Sequence, residues 1–183
     1  MTLKYLDQSG FSLRLSLCYT WFAKGSGKQF RVPTRWSSAG RLNLIGSLSF
    51  FGTTEQLEVR ELSGSCTQAQ VMNYLDTLAH SCDPTRLTVV VLDNAPFHRG
   101  KLLREQRANW EAQGLYLRYL PAYAPQLVLD KAAPSGPVRN CNPIESVWRK
   151  LTGFLMPRRT YDTLTQLSAA LELGLKALNV INI

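Results

Sequence analysis

The run Leu87-Thr88-Val89-Val90-Val91-Leu92, followed at once by Asp93, constrains this chain more than any other stretch. Apolar, largely β-branched residues without alternation form strands at the centre of a sheet, covered on both faces. The segment Asp93-Asn94-Ala95-Pro96 then turns the chain, so the carboxylate stands at a loop beyond the strand's carboxyl end. Around this strand the periodicities predict a short strand at Leu3–Leu6 running into Asp7, with Gln8-Ser9-Gly10 as a turn. Further strands are expected at 13–17, 42–51, 57–62 and 115–120. Thr67 is the expected N-cap of a helix over 68–80, with Val71, Leu75, Leu78 and Ala79 on one face. Other helices are expected over 101–113, stopped by Gly114, over 146–155, and over 163–178, where Leu164, Leu167, Leu171, Leu175 and Leu178 make a stripe. Strands first, then helix and strand in alternation, argue for an α/β fold with a mixed β-sheet flanked by helices.

The 183 residues suit one domain with a substantial core. A net charge of +8 sets the chain apart. Such an excess of Lys and Arg suits a polyanionic partner, nucleic acid being the commonest, although a merely basic soluble surface gives the same count. Trp21 and Trp36 stand among Lys24, Lys28, Arg31, Arg35 and Arg41, mixing rings with cations as a surface that stacks bases would. Arg99, Lys101, Arg104 and Arg107 follow Asp93 closely and suit a phosphate track, or simply a solvated helix face. Cys18, Cys66, Cys82 and Cys141 are scattered without a CxxC pair, which speaks against zinc and against a disulfide framework. No apolar run is long enough to span a membrane, and the N-terminus lacks a signal layout. An intracellular protein with reduced thiols is expected.

Three acids share one pattern of placement: Asp7 after the first strand, Asp93 after the central strand, and Glu145 in the opening turn of a helix. If the first and central strands are neighbours, Asp7 and Asp93 stand side by side and Glu145 closes a triangle. Hard carboxylate oxygens suit Mg²⁺ or Mn²⁺. Two such ions roughly 3.5–4 Å apart activate a water or 3′-hydroxyl and stabilise a leaving oxygen. Each acid also has a plainer reading. Asp7 suits a turn; Glu145 suits a first helical turn with Asn142 as its N-cap and capping partner. His98 could orient a phosphate, or make structural hydrogen bonds in its loop. Trp148 is expected to pack the Glu145 helix onto the sheet.

The ordered set Leu6-Asp7-Gln8-Ser9-Gly10-Phe11, Trp21 to Gly25, Leu92 to His98, Leu120-Pro121-Ala122-Tyr123-Ala124-Pro125 and Asn142-Pro143-Ile144-Glu145-Ser146-Val147-Trp148 resembles the catalytic domain of mariner-like bacterial insertion-sequence transposases, of the DDE superfamily endonuclease type. The resemblance runs from Asp7 to about Leu155. It implies a ribonuclease H-like fold in the bacterial cytoplasm, at the nucleoid. It also implies a triad of Asp7, Asp93 and Glu145 that holds Mg²⁺ or Mn²⁺, cuts transposon ends and joins the 3′-hydroxyl to target DNA. The implied partners are double-stranded DNA and a second copy of the chain. Three departures from the family matter. Gln8 stands where the family usually has Glu. No helix-turn-helix region for reading the transposon ends is seen before Asp7, which suits either the second reading frame of a frameshifted element, with a separate polypeptide to supply that region, or a truncated copy. Val128 to Cys141 intervenes before Asn142: of the 51 residues between Asp93 and Glu145 these 14 are excess, leaving 37, close to the family's usual spacing. An irregular insertion there is tolerable for the fold, since loop closure grows slowly with length. It bears more on the placement of Glu145, and a copy that only binds DNA, as an inactive remnant, is the alternative.

Overall fold

The computed structural model describes residues 1–13, 40–51, 54–120, 142–155, 161–178 and 180–182. The chain runs β1 (Thr2–Ser12), β2 (Arg41–Phe51), β3 (Thr54–Leu62), α1 (Gln68–His80), β4 (Thr88–Leu92), a 3₁₀ turn (Pro96–His98), α2 (Lys101–Ala112), β5 (Leu115–Tyr119), α3 (Ile144–Leu155), α4 (Leu164–Ala177) and β6 (Val180–Asn182). Six strands form one mixed sheet in the order β5-β4-β1-β2-β3-β6. The meander β1-β2-β3 is antiparallel, whereas β4, β5 and β6 join in parallel.

The alternation of β1 sorts its side chains between two cores. Leu6 joins Ile45, Val90, Leu92 and the buried faces of α1 and α2, centred on Tyr74, Leu75 and Trp110. Phe11, on the opposite face, joins Leu44, Leu48, Val59 and the buried faces of α3 and α4. The helices begin where local chemistry directs. Thr67 caps α1, and Gln70 completes the capping box by accepting from the Thr67 N–H at 2.9 Å. Gly114, at φ +87°, closes α2 in the left-handed conformation that a Cβ would penalise. Trp110 is fully buried and its indole N–H donates to Asp76 Oδ1 at 2.7 Å, tying α2 to α1. Lys4 and Glu58 pair at 2.5 Å across the sheet under α1, with Ser47 and Tyr74 hydroxyls completing the network.

Most expected elements are present, with three differences. The first strand does not stop at Leu6: it continues through Gln8, Ser9 and Gly10, each paired with β2. A partner strand that supplies the ladder overrides turn propensity, and Gly10 leaves room for the Arg41 guanidinium lying over its Cα. The central strand is buried on one face only; Thr88, Val90 and Leu92 are buried, while Val89 and Val91 are half-buried. α3 and α4 lie over β1 and β2 on that second face rather than over β4. The strand β6, hydrogen-bonded parallel to β3, was not foreseen. Expectations at 14–39, including the strand near 13–17, Trp21, Lys24, Lys28 and Trp36, lie outside the described residues, as does the insertion at 128–141. Among the described residues no helix is long and apolar enough to cross a membrane.

Candidate metal centre

The parallel pairing of β1 with β4 positions the first two acids. Its register runs Thr2↔Thr88 to Tyr5↔Val91; two residues further along each strand's path stand Asp7 and Asp93. The condition that the first and central strands be neighbours is therefore met. Asp7 lies within β1 rather than after it, opposite Gly46 of β2, on the face covered by α3.

Glu145 sits in the first turn of α3. That helix is anchored to β1 by the residue expected to cap it. Asn142 Nδ2 donates to the Leu6 carbonyl at 3.1 Å, while its Oδ1 is buried without a partner among the described residues. The capping box with Glu145 is thus absent: the Asn142 side chain crosses to the sheet instead of turning onto its own helix. The helix start is closed by backbone bonds, Glu145 N–H to the Asn142 carbonyl at 3.1 Å and Ser146 N–H to that of Pro143 at 3.0 Å. Trp148 packs α3 onto the sheet as expected, its ring seated over Gly46. A Cβ at position 46 would stand 3.0 Å from Trp148 Cη2 and 3.1 Å from the Glu58 carbonyl oxygen. Gly46→Ala is expected to cost about 1–3 kcal/mol through overpacking, measured by urea unfolding. An unchanged midpoint would mean that the indole does not bear on this strand.

The acids sense one another. Burial pushes the Asp7 carboxyl up to about 7, and the negative charges of Glu145 and Asp93 push the same way against a hydrogen bond from the Gln8 backbone. Trp148 Nε1 faces Asp7 closely enough to counter a little of that rise, yet it is buried without a partner at hydrogen-bonding geometry among the described residues. Glu145 is raised by burial, lowered by Arg149 and raised again by Asp93. The Cys66 thiol, not anticipated from the sequence, is pushed up by burial and then by Asp7. Asp93 accepts at a single oxygen: Oδ1 takes the Ala95 N–H at 2.9 Å and the His98 Nδ1 hydrogen at 2.6 Å. Among the described residues no three His, Cys, Asp or Glu side chains converge tightly enough to hold a metal ion. The carboxyls share a neighbourhood without forming a closed coordination sphere.

The donor set nonetheless fits a hard divalent cation. Asp7 and Glu145, whose ionisation is suppressed by burial and by neighbouring acids, are what such a charge would relieve. The basic residues divide. Lys101 and Arg104 are exposed on α2, Lys101 facing Glu105 at 3.6 Å. Arg99 is exposed, bonds Asn94 Oδ1 and lies over the Tyr119 ring. Arg107 is drawn onto Glu111 at 2.9 Å. His98 is fully buried, so its ring lies off any surface a duplex could touch; burial lowers its pKa, against the pull of Asp93.

A mixed sheet with a parallel β1–β4 pair, flanked by helices and carrying acids beside that pair, defines a ribonuclease H-like fold of the kind found in DDE transposases. The chain belongs to the DDE superfamily endonuclease family, whose model matches residues 2–133. That match takes in Asp7 and Asp93 and ends short of Glu145. Among solved structures the chain is similar to the Mos1 strand transfer complex, at TM-score 0.57 and 14% identity over 96% of this chain and 47% of that one. It is equally similar to the Mos1 transposase paired-end complex with the left transposon end, at TM-score 0.57 and 16% identity over 96% and 48%. The Mos1 mariner paired-end complex with Mn matches at TM-score 0.57 and 14% identity over the same shares. The chain spans about half the length of these proteins. A search of curated proteins found no match.

Proposed function

We propose that this chain is the catalytic domain of an insertion-sequence transposase that cleaves double-stranded DNA at the element's ends and transfers the strand to a target. The observation that supports this reading is the β1–β4 register, which ends at Tyr5↔Val91, two residues short of Asp7 and Asp93, with α3 and its Glu145 tied to β1 through the Asn142 bond to Leu6. Asp7, Asp93 and Glu145 would hold Mg²⁺ or Mn²⁺. Bound there, two ions supply the positive charge that activates a water or 3′-hydroxyl and stabilises the departing oxygen. The chain's own part is to deliver the carboxylates from three rigid elements and to exclude water on the Trp148 side. Exposed Arg99, just after the 3₁₀ turn, and Lys101 and Arg104 on α2 would contact backbone phosphates near Asp93. Lys24 and Lys28, outside the described residues, are proposed as further DNA contacts, and the net charge of +8 favours DNA binding. The chain would act as a homodimer in the bacterial cytoplasm, with a helix-turn-helix polypeptide reading the ends.

A second reading, an inactive remnant that only binds DNA, is favoured by the open arrangement of the acids among the described residues. Incubation with supercoiled plasmid separates the two. Nicking that requires Mg²⁺ or Mn²⁺ and stops with a chelator is the expected result. Metal-independent binding without nicking would establish the remnant instead.

A further inference from the structure

Strand β1 presents Asp7 on one face and helps to line a cavity on the other. Gln8 and Gly10 of β1, Arg41 and Asn43 of β2, Ser65 ahead of α1 and Phe97 of the 3₁₀ turn surround about 280 Å³ on the α1 side of the sheet. Alternation along the strand sets Gln8 and Gly10 on the face opposite Asp7. Gln8 nonetheless follows Asp7 directly, and Phe97 stands four residues past Asp93, so the cavity lies at the same end of the sheet as the acids.

Its walls are held in place. Asn43 Nδ2 donates to the Gly64 carbonyl at 2.7 Å, which ties the turn bearing Ser65 to β2. Gln8 Nε2 is 2.8 Å from His98 Nε2 on the opposite side. Arg41 faces Ser12 across the ladder, but its guanidinium folds back two residues and lies over Gly10. A Cβ at position 10 would fall within that guanidinium, so the side chain rests there only because residue 10 is glycine. Among the described residues no acid pairs with Arg41, although Lys4, Lys101 and Arg107 are each drawn onto a glutamate. No carboxylate among the described residues lines the cavity either. An exposed guanidinium beside hydroxyl and amide groups, with no acid to repel an anion, suits a phosphate that accepts two parallel N–H bonds from its fork.

We propose that this cavity is a phosphodiester subsite, in which Arg41, positioned by Gly10, grips one backbone phosphate of the DNA bound at the acids. The cavity is larger than a phosphate group alone, which leaves room for the attached deoxyribose against the Phe97 ring. Such a grip fixes the register of the strand and reads no base. The assignment rests on the reading of DNA as the substrate. It adds a contact apart from Arg99, Lys101 and Arg104, none of which lines the cavity.

Fluorescence anisotropy of a labelled duplex, titrated in chelator over a range of salt, tests it together with ¹H–¹⁵N spectra of the arginine side chains. Arg41→Gln should weaken duplex binding about 10-fold at low salt, the effect of losing one charge-assisted pair, and lower the salt slope by about 1. Arg41→Lys should restore the slope but only part of the affinity, because an ammonium keeps the charge and loses the fork. Gly10→Ala should weaken binding with the charge intact, since the added methyl displaces the guanidinium. Unfolding midpoints should stay put in all three. The Arg41 Nε–H signal, assigned by its loss in Arg41→Gln, should shift on adding duplex and stay in place with the same concentration of inorganic phosphate. Full duplex affinity in Arg41→Gln or in Gly10→Ala overturns the assignment while the DNA reading stands. A signal that inorganic phosphate moves as readily as duplex does overturns it too, since the cavity would then be a site for small anions. An unmodified chain that binds no duplex overturns the DNA reading and this subsite with it.

Discussion

Asp93→Asn is expected to reduce divalent-metal-dependent nicking by on the order of 10³-fold or more, because the ion's several kcal/mol of charge stabilisation falls away at about 1.4 kcal/mol per decade. The fold should survive. An amide oxygen at this position still accepts from the Ala95 N–H, now at 2.9 Å, and from His98 Nδ1, now at 2.6 Å. Only the charge is removed, and with it a hard ligand. Unfolding midpoints should therefore agree to within about 1 kcal/mol, as for other near-isosteric changes away from the core. DNA binding at low salt should hold or strengthen slightly, since a negative charge leaves the face that phosphates approach. Arg104→Ala is the contrasting case: it should weaken binding across all sequences and lower the salt slope by about 1, with cleavage of saturated DNA unaffected. Should Asp93→Asn nick at the unmodified rate, the cleavage would not arise at this site.

How much of this was legible beforehand depended on whether the signal was local. Helix α1 is legible because its cap, Thr67, and its apolar stripe both lie in its own sequence. The same holds for the Gly114 stop and for the apolar run of β4. Strand β1 was truncated because Gln8-Ser9-Gly10 carries turn chemistry, and only the ladder to β2, beginning 29 residues beyond Ser12, overrides it. The role of Asn142 was misjudged for a related reason. Its spacing from Glu145 is that of a capping box, but the Leu6 carbonyl, far away in sequence, takes its amide. Strand β6 is three residues long and draws its stability from the edge of β3, so no periodicity announces it. At the candidate site Asp93 and Glu145 stand out locally, since one follows β4 and the other opens α3, whereas Asp7 lies inside β1. What surrounds them does not. Cys66 near Asp7, Gly46 beneath Trp148 and the Gln8 contact to His98 each depend on which strand lies beside which.

The acid cluster should also make the metal-free protein less stable as pH rises, and Asp7 dominates that effect. Burial first, and then Glu145 and Asp93, lift its carboxyl from an ordinary 3.8 to about 7. Between those values the unfolded chain has released a proton that the folded chain still holds. Stability therefore falls across roughly pH 4 to 7 and levels off above, by at most about 4 kcal/mol for a shift of this size. Glu145, also raised, adds with the same sign. His98 is lowered, so its contribution runs the other way, with stability lost as the pH drops below its ordinary 6.5. The net curve mixes these, but the difference between the unmodified protein and Asp7→Asn isolates the first. In chelator, Asp7→Asn should be the more stable above neutrality by up to a few kcal/mol, and the gap should vanish near pH 4. Excess Mg²⁺ should reverse the order, because a cation at the cluster favours the ionised carboxylates and stabilises only the chain that retains them. Thermal unfolding from pH 4.5 to 8, with chelator and with Mg²⁺, measures both halves. Parallel curves for the two proteins in chelator would show that Asp7 is not held among like charges. A gap that Mg²⁺ leaves untouched would show that the charges are there for some purpose other than binding a cation.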